Sequence, residues 1–152
     1  MKKMILGFGL VLALGGAAFT VVAMMGVPEQ KLPPRGTDEY YISEPLLQEL
    51  GEVSVNLKSD GPNQYLQVVL AAQYVIGPEI EGGTAAPIFE EKKAMIEDRL
   101  NLLLSDKTYE DVKGSDKKML LKEEIRRILQ KVVFPEDKGR VDEVLFRKFY
   151  VQ

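Results

Sequence analysis

The chain has 152 residues, 45% of them hydrophobic, and a formal net charge of −3. It contains no cysteine, histidine or tryptophan. That excludes disulfide stapling and thiol chemistry, and removes the commonest general base and the commonest zinc ligand together. The length admits one ordinary domain plus a short extra segment.

The charge is unevenly spread. From Met4 to Val27 there are 24 residues without a charge, and a densely charged sequence begins near Thr37. Setting aside Lys2, Lys3, Glu29, Lys31 and Arg35 leaves 16 basic and 22 acidic residues in 37–152, a net of −6. An acidic domain lacks the clustered Lys and Arg that nucleic-acid phosphates require, and it is repelled by anionic lipid.

As a helix, residues 4–27 would measure about 36 Å against a hydrocarbon core of about 30 Å, enough to span a bilayer with some tilt. A cleaved signal peptide is the competing reading, with Lys2-Lys3 as its basic start and Val21-Val22-Ala23 as a cleavage site. Signal cores usually run about 7–15 residues, and this run is longer. Lys2, Lys3 and the amino terminus favour a three-residue cytoplasmic head, residues 1–3, with everything after the helix on the far side. Gly9, Ala13 and Ala17 recur every four residues. Small residues at that spacing let helices approach closely in lipid, although membrane helices are rich in Gly and Ala in any case.

Residues 28–36 carry Pro28, Pro33, Pro34 and Gly36 and read as an extended linker or stalk. The domain is expected over 37–152. Tyr40-Tyr41-Ile42 is a short extended piece. Glu52–Lys58 alternates, with Val53, Val55 and Leu57 on one face, and Gln64–Ile76 alternates through Leu66, Val68, Leu70, Ala72 and Tyr74. The turn residues Ser59–Asn63 between them predict an antiparallel hairpin. Gly77-Pro78 ends the second strand, and a loop with Gly82-Gly83 at its tip follows.

A helix is expected over 88–104, buried along Ile96, Leu100, Leu103 and Leu104. Thr108-Tyr-Glu-Asp111 has the form of a capping box opening one turn that Gly114 ends. A second long helix is expected over 116–133, with Leu121, Ile125, Ile128, Leu129 and Val132 inward and Glu123 preceding Arg127 at pairing distance. Arg140–Val151 reads as a final strand. Its apolar residues fall at both odd and even positions, which predicts cover on both faces and places Phe146, Phe149 and Val151 in the structural core. The order β-β-α-α-β gives an α+β domain, a small antiparallel sheet with two packed helices.

Carboxylate pairs are the remaining catalytic candidates: Glu90-Glu91, Glu97-Asp98, Glu110-Asp111, Glu123-Glu124 and Asp142-Glu143. Neighbours one apart on a helix point in different directions, and none lies among the apolar residues that raise a catalytic pKa. No calcium loop or phosphate cradle is present in the pattern, and the serines have no histidine to activate them. The expectation is a non-enzyme without cofactor, metal or small-molecule substrate.

Several patches in order carry a resemblance. They are Val55-Asn56-Leu57, Gln64-Tyr65-Leu66, Leu103–Thr108 followed by Glu110-Asp111-Val112, then Gly114, Leu121–Ile125, and the ending Val144–Gln152. With the N-terminal apolar segment they resemble the FliL family of flagellar basal-body-associated membrane proteins. Where family members often carry an asparagine late in the second helix, this chain has Arg127-Ile128-Leu129-Gln130. The resemblance implies an inner-membrane protein at the flagellar motor with a periplasmic domain similar to the stomatin/prohibitin (SPFH) type. It implies homo-oligomeric rings around the stator ion channels, supporting torque and swarming. Two alternatives stand beside it: a membrane-anchored stomatin-like scaffold or protease modulator outside the flagellum, and a periplasmic enzyme with an unusual carboxylate or Ser–Lys site.

Overall fold

The computed structural model describes residues 31–152, and the strand with the strongest alternation organises it. β2, Gln64–Ile76, is the middle of a three-stranded sheet in the order β1-β2-β3, antiparallel on both sides. Its even-numbered residues Leu66, Val68, Leu70, Ala72, Tyr74 and Ile76 are all buried and form the floor of the core. β1 runs Leu46–Leu57 and β3 Gly139–Val151. The chain from Pro33 to Gln152 forms one compact unit.

Both outer strands are bulged, and the bulges decide which side chains face inward. In β1 the register with β2 shifts between Glu49 and Gly51, so Leu50 has no opposite partner. Gly51 takes φ 89°, a left-handed conformation natural only to glycine. The inward set therefore changes parity, from Leu46 and Leu50 before the shift to Val53, Val55 and Leu57 after it. In β3 the register shifts twice, leaving Arg147 and Asp142 unpaired. Two parity changes bring Val141, Val144, Phe146, Phe149 and Val151 opposite the inward residues of β2.

That corrects the expectation for the last strand. Its apolar residues at mixed parity do not mark cover on both faces, because β3 is an edge strand whose bulges turn Val141, Val144, Phe146, Phe149 and Val151 one way and leave Leu145 and Tyr150 on the other. The first strand also begins at Leu46, six residues before the expected Glu52.

The helical layer has four segments where two long helices and one capped turn were expected: α1 (Ala86–Glu91), α2 (Lys93–Ser105), α3 (Tyr109–Val112) and α4 (Ser115–Val133). The expected helix over 88–104 is broken at Lys92, which leaves α-helical geometry with φ −91° and ψ 2°. α2 buries Ile96, Leu100 and Leu104, and α4 buries Leu121, Ile125, Leu129 and Val133, the i, i+4 stripes of core-facing helices. The capping box closes as expected: the Asp111 carboxylate accepts from the Thr108 amide at 3.0 Å and its hydroxyl at 2.7 Å. Glu123 pairs with Arg126, 2.5 Å away at i+3, in place of the expected Arg127. Tyr74, Phe89 and Phe134 meet at centroid distances of 5.2 to 6.1 Å and fill one end of the core.

The expected membrane helix over 4–27, the head at 1–3, and the packing stripe Gly9, Ala13 and Ala17 lie outside the described residues. So does the start of the expected linker. Tyr40 closes a 3-10 turn, Asp38–Tyr40, and Tyr41 after it is extended.

Candidate functional surfaces

Phe146, Phe149 and Val151 lie where α4 crosses β3, half-buried and packed against the core. The two rings are 5.0 Å apart. Lys118 sits 4.5 Å over Phe149 and Lys122 5.7 Å over Phe146, so the aliphatic stems of α4 cover this side of the sheet while their ammonium groups remain in water. The opposite face of the sheet exposes Leu47, Tyr65 and Tyr150 among polar cross-strand contacts. There Gln67 donates to Glu52 at 2.7 Å, and Arg147 pairs with Glu49 across β2.

The paired carboxylates do not converge. Glu90, Glu91, Glu97, Asp98, Glu110, Asp142 and Glu143 are exposed. Where carboxyl groups are displaced from their ordinary range they are displaced downward. Two backbone and hydroxyl bonds from Thr108 hold Asp111 low, and the Arg126 guanidinium holds Glu123 low. A general acid needs the opposite shift. Lys107 lies 2.6 Å from Glu124 and pins the entry of α3 to α4. Among the described residues no three His, Cys, Asp or Glu side chains gather as a metal site. An open groove of about 410 Å³ separates β1 from α1 and α2, where the Leu50–Gly51 bulge faces Phe89, Lys93 and Ile96. Its rim mixes Glu49, Glu52, Glu90 and Glu97 with Lys93.

The end of the domain where β2 exits and β3 begins is held by polar side chains. Arg35 forks onto the Glu79 carboxylate at 2.9 and 2.5 Å, and the Tyr40 hydroxyl donates to the same group at 3.0 Å. The Arg35 guanidinium is the main cause that keeps Glu79 below its ordinary value of 4.5; Tyr40 and Lys138 act in the same direction. A carboxyl held low contributes to stability above its ordinary pKa and loses that contribution only as pH falls through the lowered value. Glu79 therefore stays ionised, and able to pair with Arg35, near neutrality.

Beside it the turn from α4 into β3 is closed by one amide. Gln130 donates to the Phe134, Gly139 and Asp137 oxygens at 3.0 to 3.3 Å, and its carbonyl accepts from the Val141 amide at 2.9 Å. Asp137 occupies a left-handed position in this turn, with φ 54°. In the sequence Gln130 stands out only as the end of Arg127–Gln130, although its place five residues before Pro135 and next to the apolar stripe is a signal for a turn-closing side chain. Gln130→Ala is expected to cost about 2 kcal/mol, since several half-buried bonds disappear together. Urea unfolding with an unchanged slope and a lowered midpoint would register it.

Residues 47–152 match the family model described as flagellar basal body-associated protein FliL. The match spans nearly all of β1, the four helices, β2 and β3, and leaves Arg35 and Tyr40 outside it. No curated protein matches the chain.

Proposed function

The chain belongs to the FliL family of flagellar basal body-associated proteins, and from that premise we propose that it acts as a membrane-anchored ring around the stator units of the motor. The family makes it an accessory protein of the flagellar basal body. The finer reading is that residues 4–27 cross the inner membrane, residues 1–3 stay in the cytoplasm, and the domain stands in the periplasm as an SPFH-like module. In that position a ring of copies would steady stator ion channels against the load they generate, supporting torque and swarming.

The observation that carries the reading is the family match across the whole sheet and helical layer. Among the described residues no helix is long and apolar enough to cross a membrane. The anchor therefore rests on the 24 uncharged residues from Met4 to Val27, behind Lys2 and Lys3. Self-association is supported by the Gly9, Ala13 and Ala17 spacing. The domain offers exposed contact surfaces and no converged acid–base pair, which suits a protein that works by contact. An unrelated stomatin-like scaffold would share the anchor and lack the flagellar family match.

Deleting the gene tests the stator reading. Swarming is expected to shrink, and a bead on a tethered filament stub should show fewer discrete torque steps per motor while filaments still assemble. Unchanged step number and unchanged swarming would overturn the stator role and leave only basal-body association.

A further inference from the structure

Residues 34–43 are held to the domain by separate ties and not by a ladder. Arg35 grips Glu79 and lies 3.7 Å from Glu136. Asp38 reaches Arg140 at 2.6 Å, and Arg140 also stacks 4.7 Å over the Tyr41 ring. Tyr40 is 1% exposed and lies on Gly77, where any Cβ would come within 2.1 Å of its ring. The amides of Ile42 and Ser43 both donate to the single carbonyl of Ile76, at 3.1 and 3.4 Å. Continuous pairing with β2 starts only at Leu46.

We propose that residues 34–43 form a releasable strap, docked to shorten the connection between the upstream chain and the sheet and peeled away under load to lengthen it. The ties lie in series along the chain. A pull on the upstream segment reaches Arg35 before Tyr40, and Tyr40 before the bonds of Ile42, so each contact opens alone. The ionic members are weak in water: the Arg35 side chain is 42% exposed, Glu79 29% and Asp38 91%. Peeling stops at Leu46, where eleven residue pairs of the β1–β2 ladder share the load. Local opening of this kind involves a segment with few buried contacts beside a well-protected core. Freeing Arg35–Ser43 yields nine residues, up to about 30 Å of extended chain.

The strap does not depend on what the upstream segment does. Its consequence, a domain whose reach from the bilayer varies, rests on the anchor reading above, and the following experiment reads the strap alone. Amide exchange is followed residue by residue in the full chain in detergent micelles, at Thr37, Tyr40, Ile42 and Ser43 against Val68 and Leu70 of β2. Strap amides are expected to exchange by local opening, faster than β2 and slower than unstructured peptide. Glu79→Gln and raised salt should each speed them by about twofold to fivefold, as loss of a half-exposed ion pair does, with β2 unchanged. Arg35→Glu should act likewise, and adding Glu79→Arg should restore protection. Strap amides as slow as β2, already as fast as free peptide, or indifferent to Glu79→Gln would overturn the proposal. So would acceleration of β2 along with them, which would make the segment part of the cooperative fold.

Discussion

A domain of residues 33–152 shortened to end at Glu143 is expected to lose its cooperative thermal transition. The nine residues removed include buried Val144 and half-buried Phe146, Phe149 and Val151. They also pair with Leu66–Ala72 of β2, so the middle strand loses most of one ladder and the cover over Leu66, Val68 and Leu70, each 0% exposed. A fully buried large side chain contributes about 1.5–3 kcal/mol, and whole domains are stable by about 5–15 kcal/mol. The apolar loss alone is comparable with the total, and the orphaned backbone groups of β2 add to it. Phe146→Ala alone is a milder change. The ring is half-buried, so about 2 kcal/mol is expected, below the roughly 3–5 kcal/mol of a fully buried phenylalanine. Circular dichroism melts of the parent, truncated and Phe146→Ala domains decide the matter. A truncated domain that still melts sharply near the parent temperature would show that β3 serves an interface and not the fold.

Inserting one alanine between Leu70 and Ala71 of β2 is expected to be far more damaging than deleting Arg147 from β3. Arg147→Ala loses only an exposed pair with Glu49 and should shift stability by no more than about 0.5 kcal/mol. Deleting the residue also removes the bulge, yet it keeps every facing, because Phe146 opposite Leu70 is then followed by Lys148 opposite Val69, as in a regular ladder. A cost of about 1 kcal/mol is expected. The alanine added to β2 has no bulge to remove. Either Ala72, Tyr74 and Ile76 turn away from the helices and Gln73 turns toward them, or one residue is forced out of both ladders. Either route costs about 3 kcal/mol or more, from lost apolar burial together with a polar group forced inward. Comparison of the two denaturation midpoints tests it. A large shift on deleting Arg147 would mean that it is an ordinary strand residue and that the β3 register differs from the one described.

The bulges also explain how far the fold could be read from the amino acids. β2 has no bulge of its own, and its two ends were predicted to the residue, because strict alternation and flanking turn residues agree there. In β1 the parity change at Leu50 breaks the period-two pattern, so Leu46–Gly51 did not register as strand. In β3 two parity changes spread apolar residues over both positions and imitated a strand buried on both sides. A bulge is a geometric event at one residue. Gly51 hints at one, whereas Arg147 and Asp142 carry no such mark. The helices were legible from their stripes, but the break at Lys92 was not, since Lys is a good helix former and only tertiary packing bends the chain there. Of the candidate functional features, the family was legible in short patches of the final two-thirds of the chain. The Arg35–Glu79 fork was not, because residues 44 apart in sequence meet only through the fold.

The same bulges constrain how relatives of this chain can differ in length. An insertion or deletion of one residue inside β1 or β3 is not a local event unless it falls at a bulge, since it re-addresses the residues beyond it to the opposite face up to the next bulge that can absorb it. A residue added to the Ser59–Asn63 turn or to the loop before α1 alters no strand's facing, because the pairing on either side is already fixed. Descendants of a common ancestor should therefore accumulate gaps at 59–63 and 78–85. Within the two outer strands single-residue gaps should fall at the bulges, near Leu50, Asp142 and Arg147, even where every surface side chain has been replaced.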